Sequence, residues 1–589
     1  MALSAAQIAQ QKKQAEELLF TGPAHLGFGK RVFFGQFRAD HVMPYPVMPP
    51  DEQKTVDDAV AKVRQFCETS IDAAEIDRIA DIPKSVIKGL GELGVLGMTG
   101  SKEYGGAGFS QQGYCRILEV LGSHCSSTAV FVNAHGSIGI RALMLFGTPE
   151  QQKTWLPGLC KGEKLGAFAL TEEKAGSDAG NVQTKADPVD GGQAYILNGT
   201  KRYITNGGIA DMLTVMARTP DPKGGDSKIT AFLVTPDMPG FKVVDPRAAK
   251  CGIRGTATAW LAFENMKVPA SNILGPIGKG LKVALTVLDF GRTTFGATCT
   301  GAAKTCINAA CGHAKTRVQF QQTLAEFELV KKKIAYMAAH AFAMEAMTTI
   351  CAKLIDSGAD DYMLETAMLK VFATEHLWTI INDTIQIFGG QAYFCKDPYE
   401  RMMRDARINT IGEGANDVLK AFIAVVGCRA PGMQLDAARK NPLKHRSKLM
   451  QVTWEQTGGR YSTPEIPVVS KDLKPAATAL AKRVKQLGLV LPWVFWRAGT
   501  EERFIQSQLV HERLADAALD LYASACTLSR LDHIYQNGNG SPQQTHSEVS
   551  AGRYFLKLAD RRLGNTFAAL RDNDDSYTVA CADSTLAVN

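Results

Sequence analysis

Apolar residues recur at three- and four-residue spacing through "IPKSVIKGLGELGVLGM" and "YCRILEVLGSHCSSTAVFVNAHGSIGIRALMLFG", predicting helices from Asp51 to about Gly162. "YGGAGFS" breaks the pattern between them. The texture changes at Gly166. From there to about Pro276, short β-prone runs ("GAFALT", "AYILNG", "RYITNGG", "MLTVMAR", "ITAFLVT", "AWLAFENMKV") alternate with Gly, Pro and Asp. That pattern predicts a β-sandwich or barrel of roughly 100 residues. Helical periodicity returns at Gly280, and neither Gly nor Pro interrupts 313–357 or 359–388, so long helices packed as a bundle are expected across both. The fold class is mainly α with an inserted β domain. Its expected parts are an arm (1–50), a helical domain (51–165), the β domain (166–276), a helix bundle (277–428), a basic linker (429–470) and an additional helical domain (471–589).

Composition narrows the function. A chain of 589 residues is too long for one core, and 45% hydrophobic with 21% charged residues is the balance of a soluble globular protein. A net charge of +7 suits an anionic small molecule or an acidic partner but falls short of a nucleic-acid footprint. Thirteen cysteines, none in C-x-x-C, read as reduced thiols, most of them small core residues in a reducing compartment. The first twenty residues resemble neither a secretory signal nor a transit peptide. The longest apolar run, "LGLVLPWVFW" at 487–496, is about half a membrane span. An intracellular protein, not integral to a membrane, is expected.

Two glycine clusters, "YGGAGFS" and "GPIGKGLKV", lack the strand–turn–helix context of a dinucleotide fingerprint and read as turns. No metal constellation stands out. Three polar segments are better candidates. "FALTEEKAGSDAGNVQTKA" (168–186) runs from a strand into a donor-rich loop, which is also what a plain hydrophilic hairpin looks like. In "NGTKRYITNGG" (198–208), strand alternation puts Tyr203 and Thr205 on one face. In "RDARINTIGEGANDVLKAF", Glu413 stands between two glycines ahead of a helix, either a capping residue or an acid with room to approach something bulky.

TEEKAGSD, KRYITNGG, TRVQF, QIFGGQAY and RDARINTIGEGANDVL, in that order and spacing, resemble the acyl-CoA dehydrogenase family. "GKRVFFGQFRADHVMPYP" and "ERLADAALDLYASACTLSR" resemble its very-long-chain subgroup, which carries a further C-terminal helical domain. The resemblance implies an N-terminal helical domain, a central β domain and a four-helix bundle, with FAD between the last two. It implies removal of an α proton and a β hydride from a fatty acyl-CoA, with electrons passed to an electron-transfer flavoprotein. By resemblance Glu413 is the base, beside Gly412 and Gly414. Phe168, Leu170, Thr171, Ser177, Tyr203, Thr205, Ala415 and Asn416 match flavin contacts, and Ser177, Asp289, Arg292, Gly412 and Gly414 match substrate contacts. Arg317, Gln319, Phe320, Gln386, Gly389 and Gly390 match residues that reach a neighbouring subunit's FAD, so a homodimer is implied.

Two departures bear on the pocket. Gly412 stands where an aromatic ring is usual, and Ala415 where threonine is usual. The first should enlarge the pocket near the reacting carbons or admit water; the second removes one possible flavin contact while main-chain contacts there survive. Small Ala134 and Gly136 in "NAHGSIG" fit either a long acyl tunnel or tight helix packing. Burial should raise the pKa of Glu413 while the nearby helix N-terminus opposes the rise. Arg439, Lys440, Lys444, Arg446 and Lys448, with Trp493, Phe495 and Trp496, suit peripheral contact with an anionic bilayer or, equally, a solvated linker and a packing helix. The expected location is the cytoplasm, on the inner face of the membrane if that contact forms, or the mitochondrial matrix in a eukaryote. An oxygen-using acyl-CoA oxidase and a catalytically retired scaffold are the alternatives.

Overall fold

The computed structural model describes residues 26–221, 224–440 and 463–588, the side chains of 437–440 excepted. Lys444, Arg446 and Lys448 and the side chains of Arg439 and Lys440 therefore lie outside the described residues. The N-terminal domain contains α1 (Pro50–Ser70), α2 (Gln111–His124), α3 (Ser126–Asn133), α4 (Ile140–Phe146) and α5 (Pro149–Lys161). Proline starts α1, where no backbone donor is needed, and a Thr148–Gln151 capping box starts α5. Between α3 and α4 the chain makes a π turn, Ala134–Gly139.

The β domain holds β1 (Gly166–Ala169), β2 (Lys185–Val189), β3 (Ala194–Ile204), β4 (Met212–Thr219), β5 (Lys228–Val234), β6 (Phe241–Asp245), β7 (Ala259–Pro269) and β8 (Ile273–Leu274). Strand order is β6-β7-β3-β2-β4-β5-β8, with β1 parallel to β4. Only Lys185↔Arg218 joins β2 to β4, so the sheet divides into two leaves around Leu197, Leu213, Val215, Phe232 and Phe263. β4 is buried almost end to end because both its faces are covered. Leu213 and Val215 face the other leaf, while Met212 and Met216 face Leu143, Leu159 and Val287 of the helices. This clamps the exit of β1 against the helical part.

The bundle comprises α6 (Gly280–Thr316), α7 (Glu328–Asp356), α8 (Met363–Phe388), α9 (Tyr399–Arg407) and α10 (Asn416–Lys440). Two expectations are corrected here. The stretch free of Gly and Pro at 313–357 is broken by a hairpin, β9 (Val318–Gln319) and β10 (Gln322–Thr323), whose turn residues Phe320 and Gln321 take φ 51° and 66°. α10 runs through Pro431 to Lys440, so a helix occupies the start of the expected linker. By length and apolar composition Ser126–Phe146 and Asn416–Asp436 could each cross a membrane, which the longest-run criterion missed; Ser126–Phe146 is mostly buried in this fold.

The additional domain holds α11 (Lys474–Ala498), α12 (Gln508–Asn537), α13 (Pro542–Ala569) and α14 (Asp575–Val588). It docks on the bundle through Lys420–Asp516 (3.0 Å), Glu345–Arg530 (2.7 Å) and a shared apolar core. The arm belongs to that core: Phe28, Val32 and Phe33 are buried, Lys30 pairs with Asp361 at 2.9 Å, and Phe28 lies against Tyr522. Nine of the thirteen cysteines are buried.

Candidate active site

Glu413 occupies the turn that joins the helical run Ile408–Thr410 to α10, at φ 56°, and Gly414 follows at φ 99°. Left-handed backbone is strained for a glutamate and must be held by its surroundings. Lys370, wholly buried in the middle of α8, does this. Its Nζ donates to the Gly414 carbonyl (2.7 Å) and to Asn416 Oδ1 (2.8 Å). Asn416 donates in turn to Thr374 Oγ1 (3.1 Å), so its side chain is engaged with α8 and only its backbone is left for a cofactor.

The carboxylate lies against α6 at Gly291, where a Cβ would stand 2.7 Å from Glu413 Oε2. Glycine at 291 is what admits the acid. Asn133, the last residue of α3, donates from Nδ2 to Oε1 at 3.3 Å. Oε2 is buried without a partner. Burial raises the Glu413 pKa to about 7, against the opposing pull of Arg292, Lys370 and the Asn133 hydrogen bond. Burial therefore wins the contest posed by the sequence. Beside the acid, Arg292 Nη1 donates to Asp289 Oδ1 (3.1 Å), which also accepts the Thr366 hydroxyl (2.8 Å). Burial lifts Asp289 to about 6 even so. The fold thus brings Asp289, Arg292, Gly412, Glu413 and Gly414 together.

On the far side of Asn133 a cavity lies between α3, α6, α8 and α9. Ala129, Val130 and Asn133 form one wall, and Phe295, Thr298 and Ala302 the other. From Phe295 to Ala302 the wall runs about 10 Å along α6. Ala134 and Gly136 do not line it: a Cβ on Gly136 would lie 2.6 Å from the Tyr114 hydroxyl, so tight packing explains that glycine.

The donor loop at the exit of β1 is shaped by a buried ion pair, Lys201–Glu172 at 2.7 Å. Lys201 also donates to the Leu170 carbonyl (3.0 Å), and Glu172 accepts from the Thr184 N–H and hydroxyl. Phe168 is half-buried, and Ser177 is exposed in the loop. Tyr203 is 59% exposed, but not by strand alternation. It takes φ 61°, the register shifts between Lys201 and Ile204, and Thr205 lies in the following turn. The expected shared pleat face for Tyr203 and Thr205 is therefore wrong.

A second group gathers at the far end of the bundle. His313 stacks on Phe388 at 4.2 Å, drawing the end of α6 to the end of α8. Exposed Arg317, Gln319 and Phe320 follow the end of α6, and exposed Gln386, Gly389 and Gly390 stand at the end of α8. Arg317 lies 26 residues beyond Gly291, about 39 Å along α6. One chain's two groups are far apart.

Known proteins resolve the family. "Acyl-CoA dehydrogenase, N-terminal domain" matches residues 50–163, the middle domain 167–266 and the C-terminal domain 278–427, while "ACAD9/ACADV, C-terminal domain" matches 471–583. The very long-chain specific acyl-CoA dehydrogenase of Bos taurus mitochondria is 34% identical over 92% of this chain and 84% of its own. The chain belongs to the acyl-CoA dehydrogenase family. Among solved structures, a Bacillus anthracis acyl-CoA dehydrogenase complexed with FAD superposes with a TM-score of 0.76 at 26% identity over 94% of both chains. Butyryl-CoA dehydrogenase of Megasphaera elsdenii, 34% identical with a TM-score of 0.60, covers 64% of this chain and 97% of its own.

The motif reading missed two residues of this acyl-CoA dehydrogenase, Asn133 and Lys370. Each left a trace: a lone lysine in "AMLKVFA" and a lone asparagine in "VFVNAHG" interrupt otherwise apolar helical runs. Such groups are buried only with partners.

Proposed function

We propose that this acyl-CoA dehydrogenase oxidises long-chain fatty acyl-CoA to trans-2-enoyl-CoA, the first step of fatty acid β-oxidation, and passes the electrons to an electron-transfer flavoprotein. The observation that carries the reading is a buried acid of raised pKa, Glu413, held by Asn133, which also lines the neighbouring, mainly apolar cavity. Such an acid is ionised near neutral pH yet basic enough to take an α proton. The residues fit FAD by their chemistry. A flat exposed Tyr203 and a donor-bearing loop at Thr171 and Ser177 suit a ring edge and phosphate, and exposed Arg317 suits a diphosphate. FAD, when bound, supplies the acceptor for the β hydride. Glu413 removes the proton, Gly412 and Gly414 leave room for the substrate, and Asp289 fixes Arg292 beside the carboxylate.

The separation of the two cofactor groups supports a homodimer, in which the Arg317 end of one chain completes the site of the other. A small mixed-sign charge and the reduced cysteines fit the cytoplasm of a bacterium or the matrix of a mitochondrion. Peripheral membrane contact rests on less than the sequence offered. Trp493 and Phe495 pack on the core, and of the three aromatics Trp496 alone is largely exposed, at 78%. Co-sedimentation with anionic liposomes at low salt tests it.

Anaerobic addition of palmitoyl-CoA to the yellow protein should bleach the flavin, and Glu413→Gln should bleach about a thousandfold more slowly. Absence of bleaching with palmitoyl-CoA and shorter thioesters would overturn the proposal. The oxidase reading has one observation in its favour: a Cβ on Gly412 would meet only the Ile408 carbonyl, at 3.6 Å, leaving open space by the base. Rapid recolouring in air would favour it over transfer to a flavoprotein.

A further inference from the structure

Asn133 is 2% exposed and touches the base directly. Behind it stands a chain of buried hydroxyls. Thr294 Oγ1 lies 2.5 Å from Asn133 Oδ1, and Ser137 Oγ lies 3.1 Å from Thr294 Oγ1. Asn133 and Ser137 are four residues apart and reach one threonine of α6 from the same side of the helix. The π turn begins just past Asn133, where the helix must skirt β1, and Gly139 lies against Gly166.

We propose that Asn133 is a positioning residue for Glu413: Thr294 fixes its amide so that only N–H faces the carboxylate, holding the base ionised and aimed. This rests on the reading of Glu413 as the base.

The reasoning is one of donors and acceptors. An amide can offer either its oxygen or its NH₂ to a neighbour. Thr294 has a single proton, and its shortest acceptor is Asn133 Oδ1, ahead of the helix carbonyls of Gly291 (2.9 Å) and Phe290 (3.2 Å). With the oxygen so engaged, NH₂ is left for Glu413. A donor stabilises the carboxylate and cannot accept from the acid. The charged groups facing Glu413 are Arg292 from α6 and Lys370 from α8, with Asp289 behind Arg292 and Glu375 behind Asn416. From α3 the facing group is Asn133, which does not titrate.

The test is a pH titration of Glu413 in the substrate-free holoenzyme. Difference infrared spectroscopy follows the protonated carboxyl band, assigned by its loss in Glu413→Gln. Asn133→Leu should raise the midpoint by about one pH unit, the size of one hydrogen bond to a charged group. Flavin reduction by palmitoyl-CoA near pH 6.5 should fall about tenfold and recover at high pH. Thr294→Val, which frees the amide to turn, should shift the midpoint the same way by less, and it answers the question should Asn133→Leu fail to retain flavin. An unmoved midpoint in both variants, or a rate loss equal at all pH values, would overturn the proposal. A wild type that titrates normally but is never bleached would instead overturn the assigned reaction.

Discussion

Two glutamates in this protein meet opposite fates. Glu413 and Glu345 each place a carboxylate between two cations, Glu413 buried and Glu345 three-quarters covered. Glu345 bonds Lys304 Nζ at 2.9 Å and Arg530 Nη1 at 2.7 Å, in a seam where Glu119 also takes Lys304 and where the arm, the bundle and the additional domain meet. Its pKa falls below the ordinary carboxylate range because two contact ion pairs outweigh desolvation. Arg292 and Lys370 flank Glu413, but each is hydrogen-bonded elsewhere, to Asp289 and to the Gly414 carbonyl and Asn416. They pull on the base from a distance, and burial raises it to about 7. The same residue type becomes a rivet where its charges touch and an acid titrating near neutrality where they are kept back.

The sharpest way to break the comparison is to remove each acid. Glu413→Gln should cost about a thousandfold in the flavin-bleaching rate, the usual worth of a general base, with the thermal midpoint little changed. Glu345→Gln should do the reverse. Leaving Lys304 and Arg530 without their shared partner should cost about 2–3 kcal/mol by denaturant titration, less than for a fully buried pair because a quarter of the Glu345 side chain meets solvent. Bleaching by the folded fraction should be unaffected.

A smaller effect is expected from the cation side. Lys370→Met removes the bond to the Gly414 carbonyl together with a positive charge near the base. The bleaching rate should fall about tenfold at neutral pH, partly recovered at higher pH as the base pKa rises. A loss that is equal at every pH would show that Lys370 only supports the loop.

Acidity separates the two sites without mutation. The proton acceptor must be ionised, so bleaching should be full above about pH 7 and fall about tenfold per unit below it. Glu345 is depressed in the folded state. Its contribution is present above the ordinary glutamate range and lost only in strong acid. Between pH 5 and 7, activity should fall while the seam keeps its contribution to the thermal midpoint. Gly412→Ala should be the mildest change, within about 0.5 kcal/mol of wild type, because its Cβ would enter open space.

Much of this was legible in the chain itself. The order of helical, β and helical textures follows from periodicity, a local property, and Glu413 between two glycines announced an acid given room. What failed were inferences that treated local pattern as sufficient. The absence of Gly and Pro did not keep 313–357 helical, because Phe320 and Gln321 adopt left-handed backbone in a two-residue turn. Strand alternation failed at Tyr203 for the same reason. The sequence marked 1–50 only as an arm, yet its apolar residues Phe28, Val32 and Phe33 complete a core shared by the bundle and the additional domain.

The sequence by itself determined the fold class and the family and singled out Glu413 as the proposed base, since these rest on residue types and on spacings within single segments. Only the tertiary structure decided the state of that base. Glu413 meets Asn133 across 280 residues of chain and depends on Lys370, 44 residues before the Gly414 carbonyl it holds. Desolvation and Coulomb interaction act over a few ångströms of space, and no local pattern records which distant side chains share them.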